Sequence, residues 1–577
     1  MATYDYIIVG GGLAGSTLAG RLSELHPSRT ILLLEAGPNV VGHPLTSAPL
    51  ACFGAHFSPL DWAYTTVPQT HLDGRTCYNS AGKALGGGTA INYGTWTRGS
   101  AAKYDLLARM VDDEGWSYQS LLPYFQRAET HWDRHADPAV HGRAGPIHNA
   151  TVSSSSPDRT YPLREPVRAA WAQLGVGPVA RGDANAGHPL GLAELTENWR
   201  AGRRQIASEA YGVTRRANVT VRTDTLVKRV LLSDSLSPNS PSARGSSSRS
   251  SSSSSKTAVG VELPDGTTFH ARHEVILSAG GYRTPQLLML SGIGPREHLQ
   301  HHGISVAVDS PEVGRNFHDH FAFNQWWQLR HPEQGLSAGT PAWQSPAYGL
   351  GLPCDWVATL QAPPSALRAA LQADGVTSPT DLEHHPYLSK DFDHLETLVV
   401  YAPAGAAVSG VDVPMDGSHI ATAVLGIAPS SRGTITLASA DPAAAPVIDP
   451  NHYATEVDRV TLRAGIRQVN RLMLATPPGR AIVTGEVVRP GLAGPLGVDA
   501  SDAEIDAAVR QGGMTFYHPA GSAAMGKVVD SRLQVKGVMG LRVVDASVLP
   551  LSVAGHYQVA LYAIAERAAE LVAGVVG

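Results

Sequence analysis

The sequence predicts an α/β protein of two domains, α+β overall, whose first domain is a Rossmann-type dinucleotide-binding unit. Three observations predict this. The 577 residues exceed what a single hydrophobic core usually serves. The first ~35 residues read strand, glycine turn, helix, strand, which is a βαβ unit. From about 321 to 510 the texture changes: proline and alanine are frequent, and Trp326, Trp327, Trp343, Trp356 and Tyr401 supply large rings. This stretch reads as a second domain that covers the reactive face of a cofactor.

The βαβ unit opens on the strand-like run Tyr4 to Val9. Gly10-Gly11-Gly12-Leu13-Ala14-Gly15 follows and opens a helix. Gly10 permits the tight turn, Gly12 lets the backbone approach a pyrophosphate, and Gly15 lets the helix pack close to the strand. The phosphates then sit on the helix N-terminus, where free N–H groups and the macrodipole favour negative charge. Glu35 ends the second strand, Thr30 to Leu34, about 20 residues after Gly15, the spacing for a carboxylate that accepts from ribose hydroxyls. An acid there suits a ribose without a 2′-phosphate and leaves NAD and FAD both open.

Residues 100–130 read as helical, with Tyr118, Leu121, Leu122, Tyr124 and Phe125 at mixed 3–4 spacing. Ser235 to Ser255 is low-complexity and serine-rich. It lies between strand-like runs at Leu226–Leu232 and Ala258–Leu263, which predicts a disordered hairpin loop. His273–Ala279 is a further strand candidate followed by glycines. The last ~65 residues return to glycine turns and short strands, so the C-terminus is expected to complete the first domain. The segment Leu561 to Val576 is apolar on one side and carries Glu566, Arg567 and Glu570. It reads as an amphipathic helix packed on the body of the protein.

Composition excludes several function classes. A formal net charge of −5 with 16% charged residues provides no field to gather nucleic acid. No apolar run is long enough to span a bilayer. Cys52, Cys77 and Cys354 are too few and too widely spaced for a disulfide framework or a zinc site, and leave one disulfide open. His318 and His320 sit in an Asn-x-x-Asp-His setting without a full ligand set, so no metal is expected. The chain enters a strand almost at once, so no signal peptide is visible. A cytoplasmic protein is expected, or a secreted one if a leader has been removed. Asn149-Ala-Thr151 and Asn218-Val-Thr220 match the N-glycosylation pattern.

Several blocks, spread over most of the chain, resemble the glucose–methanol–choline (GMC) oxidoreductases. Gly82-Lys83-Ala84-Leu85-Gly86-Gly87-Gly88-Thr89-Ala90-Ile91-Asn92 is similar to the family's first glycine-rich motif. Gly280 to Gly294 is similar to its second, with Gly281 where alanine or serine is usual, and Val313 to His320 to a third block. Asp61-Trp62-Ala63-Tyr64 and Gly115-Trp116-Ser117-Tyr118 are shorter echoes. The resemblance implies an FAD-binding domain over 1–320, with 150–205 contributing to the substrate side. It implies a substrate domain with an antiparallel sheet and helices over 321–510, and a C-terminal return over 511–577. It also implies contacts to FAD at Glu35, Ala36, Trp62, Leu85, Gly86, Asn92, Tyr93, Gly94, Thr95, Tyr517, Asp545, Ala546 and Tyr557. Val227, placed within a strand, is expected at the adenine. Two departures matter. Ala81 replaces a usual arginine and removes a charge near the cofactor. Ile91 stands where some members carry the histidine that attaches flavin covalently, so a non-covalent FAD is implied.

Tyr517-His518-Pro519-Ala520-Gly521-Ser522 resembles the family's active-site block, followed by Val543 to Ser547 and Gly555-His556-Tyr557 ahead of a final helix. Oxidising an alcohol removes a hydroxyl proton and a hydride, and a neutral imidazole can take that proton near neutral pH. His518 is therefore assigned as base, and His556 as the residue that hydrogen-bonds and positions the substrate oxygen. The expected partners are a small-molecule alcohol and either oxygen or another electron acceptor. The alternatives are a lyase or cyclase with a structurally retained flavin, and a silent binding protein. Intact His518 and His556 argue against the last, and His518 also argues against photodecarboxylation.

Overall fold

The computed structural model describes residues 2–234 and 256–576. The serine-rich stretch Ser235–Ser255 lies outside the described residues. The first sheet contains β1 (Ala2–Val9), β2 (Ile31–Leu34), β3 (Val219–Arg222), β4 (Arg229–Asp234), β5 (Lys256–Glu262) and β6 (Thr268–Leu277). Their order is β3-β2-β1-β6-β5-β4. β3, β2, β1 and β6 run parallel, and β5 and β4 return antiparallel. Tyr6 to Val9 and all of β2 are buried, as expected where a parallel sheet is covered on both faces. In register, Val9 lies against Leu34 on one side and Leu277 on the other, so three strands end together at one edge. The C-terminal strands Val538–Met539 and Leu541–Val543 add to β5 and β6.

Three helices start at that edge: α1 (Leu13–Leu25), α2 (Gly280–Leu290) and α3 (Gln558–Ala573). Between residues 100 and 130 the expected single helical region is two helices, Ala101–Val111 and Tyr118–Ala128, broken by a 3-10 turn at Glu114–Trp116. α3 is packed as the sequence suggests but is enclosed further than an amphipathic helix with one apolar side. It runs through the core, packed on α1 and on Tyr118–Ala128, and is buried on nearly every side. Its charges are paired. Glu566 accepts from Arg21 Nε (2.9 Å) and Tyr211 Oη (2.8 Å), and Glu570 accepts from Arg127 (2.6 Å) and Tyr124 (2.7 Å). Glu566→Ala should cost roughly 3 kcal/mol, because it strands a half-buried guanidinium and a buried phenol. Urea unfolding followed by tryptophan fluorescence reads that loss.

The second sheet is antiparallel throughout, in the order Val483–Glu486, Phe321–Leu329, His419–Gly426, Leu395–Val400, Trp356–Leu360, Gly191–Glu194. Trp327, Phe323, Tyr401 and Val424 are buried in its core. Gly191–Glu194 joins this sheet from within 150–205, the stretch expected on the substrate side. Two pieces cross the boundaries drawn from sequence. Met514–Thr515 pairs with the strand Phe321–Leu329. The hairpin Thr434–Thr436/Val447–Asp449 lies within 321–510, yet Ile435 and Ile448 pack on Tyr64, Tyr282 and Phe317.

Cys52, Cys77 and Cys354 are buried and free, so the disulfide left open by sequence is not formed. Asn149 Nδ2 donates to Glu129 (3.0 Å), and Asn218 Nδ2 to the carbonyls of His26 and Arg29 (3.2 and 3.0 Å). Neither amide is free in the folded protein. Among the described residues no helix is long and apolar enough to cross a membrane.

Candidate active site

A cavity of about 330 Å³ opens at the carboxyl ends of β1, β2 and β6, where open α/β sheets bind ligands. α1, α2 and α3 present their N-termini to it through Gly12, Ala279 and Tyr557, all lining residues. None of the three N-caps is closed by its own side chain, and no first turn carries an acid. At α2 the first N–H is taken by the Asp545 carboxylate (2.9 Å), whereas the open N-termini of α1 and α3 favour an anionic ligand. Gly10 turns the chain from β1 into α1 at φ +103°, and a Cβ there would strike the carbonyl of Ser278. A Cβ on Gly15 would strike Gly10. Gly15 thus lies behind the cavity and lets α1 seat against the turn.

Glu35 lines the cavity from the end of β2, with Oε2 accepting from Gly11 N and Oε1 from Gly37 N, both at 2.8 Å. Burial pushes its carboxyl up to about 7 against those N–H bonds. Leu13, Ala14, Ala36 and Val227 complete this end. Val227 precedes β4 and is not within it. Trp62, Asn92, Tyr93, Gly94, Thr95, Asp545 and Ala546 line the middle. Leu85 and Gly86 do not. Gly86 N donates to Gly11 O (2.7 Å) and Leu85 packs behind Gly11, so they brace the wall and the following residues Gly87, Gly88 and Thr89 face the cavity. The charge absent at Ala81 is met from elsewhere: Arg283 lines the cavity, stacked over Trp62 at 4.1 Å.

This surface fits a flavin dinucleotide on its own features. Ser80 and Ser278 offer buried hydroxyls without a protein partner. A Cβ built on Gly88 meets no atom within 4 Å and projects into free space.

At the far end the cavity is closed by the loop that carries His518. Phe516 N bonds His320 O (2.9 Å), and His318 and Ala520 exchange bonds at 3.0 and 2.9 Å. Asp319, buried in the bridged segment, accepts from His518 N (2.8 Å) and from the Thr515 hydroxyl, and Thr515 in turn accepts from Tyr517 N (2.8 Å). These bonds hold Tyr517 at φ +64°, a conformation costly for a side chain of this size. Burial pushes the Asp319 carboxyl up to about 7.

The loop sets His518 against His556, with ring centroids 5.2 Å apart at 84°. His556 Nε2 bonds the buried Glu396 carboxylate at 2.8 Å. His518 Nδ1 lies 3.0 Å from His320 Nδ1, whose Nε2 is 2.7 Å from Ser552 Oγ. Ser552 also donates to Ile427 O (2.9 Å), and His320 Nδ1 also faces the Gly555 carbonyl at 3.2 Å. His320 thus orients the His518 ring through Nδ1, and His518 Nε2, which has no hydrogen-bond partner among the described residues, faces the cavity. Burial and the neighbouring His556 hold His518 well below the usual histidine range, so it is neutral. Replacing His320 with leucine should lower kcat on the order of 10²-fold while FAD stays bound. His320→Asn, which keeps a hydrogen-bonding group, should recover part of the loss.

His320, Glu396, Asp319 and Arg283 were not singled out as site residues in the sequence. His320 and Asp319 had a signal there through the block Val313 to His320, and Arg283 through the block Gly280 to Gly294; Glu396 had none. Glu129, His131 and His141 also converge, with ligand atoms within 4.8 Å. Arg98 donates to Glu129 at 2.9 Å, so that carboxylate is already matched by a cation.

The profile of the GMC oxidoreductase family matches residues 4–322 through its N-terminal part and 429–565 through its C-terminal part. The GMC-type oxidoreductase acuG of Aspergillus aculeatus is 41% identical over 99% of both chains. Pyranose dehydrogenase 3 of Leucoagaricus meleagris is 32% identical, over 99% of this chain and 93% of its own. A solved structure of formate oxidase from Aspergillus oryzae superposes with a TM-score of 0.83 at 29% identity, over 100% of this chain and 98% of that one. With the cofactor surface and the histidine pair in place, the chain belongs to the GMC oxidoreductases, a family of FAD-binding flavoproteins.

Proposed function

We propose that the protein oxidises the CH–OH group of a small alcohol to a carbonyl, with His518 as the base. The observation that carries this reading is the pair of partner-free nitrogens, His518 Nε2 and His556 Nδ1, on two imidazoles facing one cavity. When bound, FAD supplies the hydride acceptor. Gly12, Gly88 and the N-terminus of α1 would hold its pyrophosphate, Glu35 its ribose, and the N-terminus of α3 its pyrimidine edge. The resemblance adds Asp545 and Ala546.

The substrate hydroxyl gives its proton to His518 Nε2, the cavity-facing nitrogen of a neutral ring. His556 binds the same oxygen. The Glu396 carboxylate at Nε2 orients the ring, so that His556 Nδ1 faces the cavity and positions that oxygen. Asp319 acts on neither substrate nor cofactor and positions the His518 backbone. The relatives' names, an oxidase and a dehydrogenase, support a redox outcome over a lyase or cyclase.

The test is an anaerobic titration of the FAD-loaded protein with a panel of primary and secondary alcohols. Loss of the flavin absorbance near ~450 nm is expected. Recovery on admitting air then separates oxygen from another acceptor. Full absorbance with every alcohol would overturn the reading in favour of a retained, non-redox flavin.

A further inference from the structure

We propose that Tyr93 forms a second polar subsite in this cavity, which accepts a hydrogen bond from a substrate hydroxyl or N–H other than the group oxidised. The inference rests on the alcohol substrate above and narrows it to alcohols with a second donor, such as diols and hydroxyaryl alcohols.

The direction of a buried hydrogen-bond chain carries the argument. Asp61 anchors it. Oδ1 accepts from the N–H groups of Ala63 and Ala81, each at 3.0 Å, and Oδ2 accepts from Phe57 N at 3.0 Å and from the Tyr78 hydroxyl. The Tyr78 proton is therefore committed to Asp61. Toward His56 Nδ1, 3.1 Å away, Tyr78 can only accept, which places the His56 proton on Nδ1. Burial holds His56 below the ordinary histidine value, so it is neutral and its Nε2 is bare. Tyr93 Oη lies 2.6 Å from that nitrogen and donates to it. The phenol of Tyr93 thus keeps lone pairs and has no proton to offer.

Tyr93 and His56 both line the cavity. The His56 ring lies 5.3 Å from that of Tyr517, the residue before His518, so the subsite adjoins the loop that carries the base. The Tyr93 oxygen, which accepts and cannot donate, favours phenols, alcohols and amides over ethers and esters. An ether oxygen there would face the Tyr93 oxygen unpaired. If the chain only stiffened the loop around His56, Tyr93 would not distinguish ligands by their donors.

The test uses calorimetric titration of the FAD-loaded protein with phenol and with anisole, its methyl ether, so no turnover is needed. In the wild type, phenol should bind about tenfold more tightly or better, the worth of one hydrogen bond. Tyr93→Phe should bring the two within about twofold. His56→Leu removes the acceptor of the Tyr93 proton and frees it to donate, so anisole should gain on phenol. That reversal would not follow from a structural role. No preference in the wild type, a preference that survives Tyr93→Phe, or no binding of phenol would each overturn the proposal. If Tyr93→Phe fails to fold, the His56→Leu comparison decides alone. Alcohol oxidation fails separately, as a flavin no alcohol bleaches while the phenol preference persists.

Discussion

His518→Ala is expected to lower kcat by about 10³-fold, the middle of the range for loss of a positioned general base, while FAD remains bound. The backbone amide of residue 518 would still bond Asp319, so the loop keeps its turn. His320 would lose only its hydrogen bond to the His518 ring. Oxygen or dye-linked turnover and flavin content per protein measure the two halves of the claim. Loss of FAD, or turnover within threefold of wild type, would sink the assignment. The wild-type pH profile gives a second signature. A base works unprotonated, and burial beside His556 lowers the His518 pKa well below 6.5. The acid limb of kcat/KM should therefore lie below the usual histidine range, with activity retained as pH falls through 6.5.

Gly88→Leu is expected to weaken FAD binding on the order of 10²-fold or more, equivalent to at least about 2.7 kcal/mol of steric overlap. The apoprotein should melt within a few degrees of wild type. Two features of this position separate binding from folding. Its Cβ meets nothing within 4 Å, so the added side chain enters the cavity and not the core. Its φ also lies outside the left-handed region, so a leucine backbone is unstrained. Gly10 offers no such separation, because φ +103° and the Ser278 carbonyl make any side chain there a folding defect. Fluorescence titration of apoprotein with FAD, beside a thermal melt, checks both parts. Wild-type affinity in Gly88→Leu would show that the phosphates do not use this wall.

The βαβ unit was legible because its determinants are local. A buried run, a glycine turn and an acid at fixed spacing specify β1, α1 and β2 without reference to distant residues. The histidine pair was legible through the blocks around it. What escaped depends on partners far away in the chain. Glu566 reads as a surface charge until Arg21 and Tyr211 are placed beside it. Glu396 sits in an unremarkable run, Leu395–Val400, and acquires its role only when that strand passes His556. His56 gains a direction from Asp61 through Tyr78. Leu85 and Gly86 were placed at the cofactor because their motif is. The left-handed backbone at Gly86, φ +107°, turns the wall so that Gly87, Gly88 and Thr89 face inward instead.

The closure of the first sheet by strands far apart in sequence has a consequence for biosynthesis. β1 leaves the ribosome well before its neighbour β6, which begins at Thr268, and longer still before the strand Leu541–Val543 that flanks β6. α1 packs against α3, which is made far later. Until α3 has left the exit tunnel, an apolar face of α1 stays uncovered. Such long-range closure is slow and leaves nascent chains prone to aggregation. The pocket, which needs the N-terminus of α3, is therefore complete only after the chain has been made through residue 558.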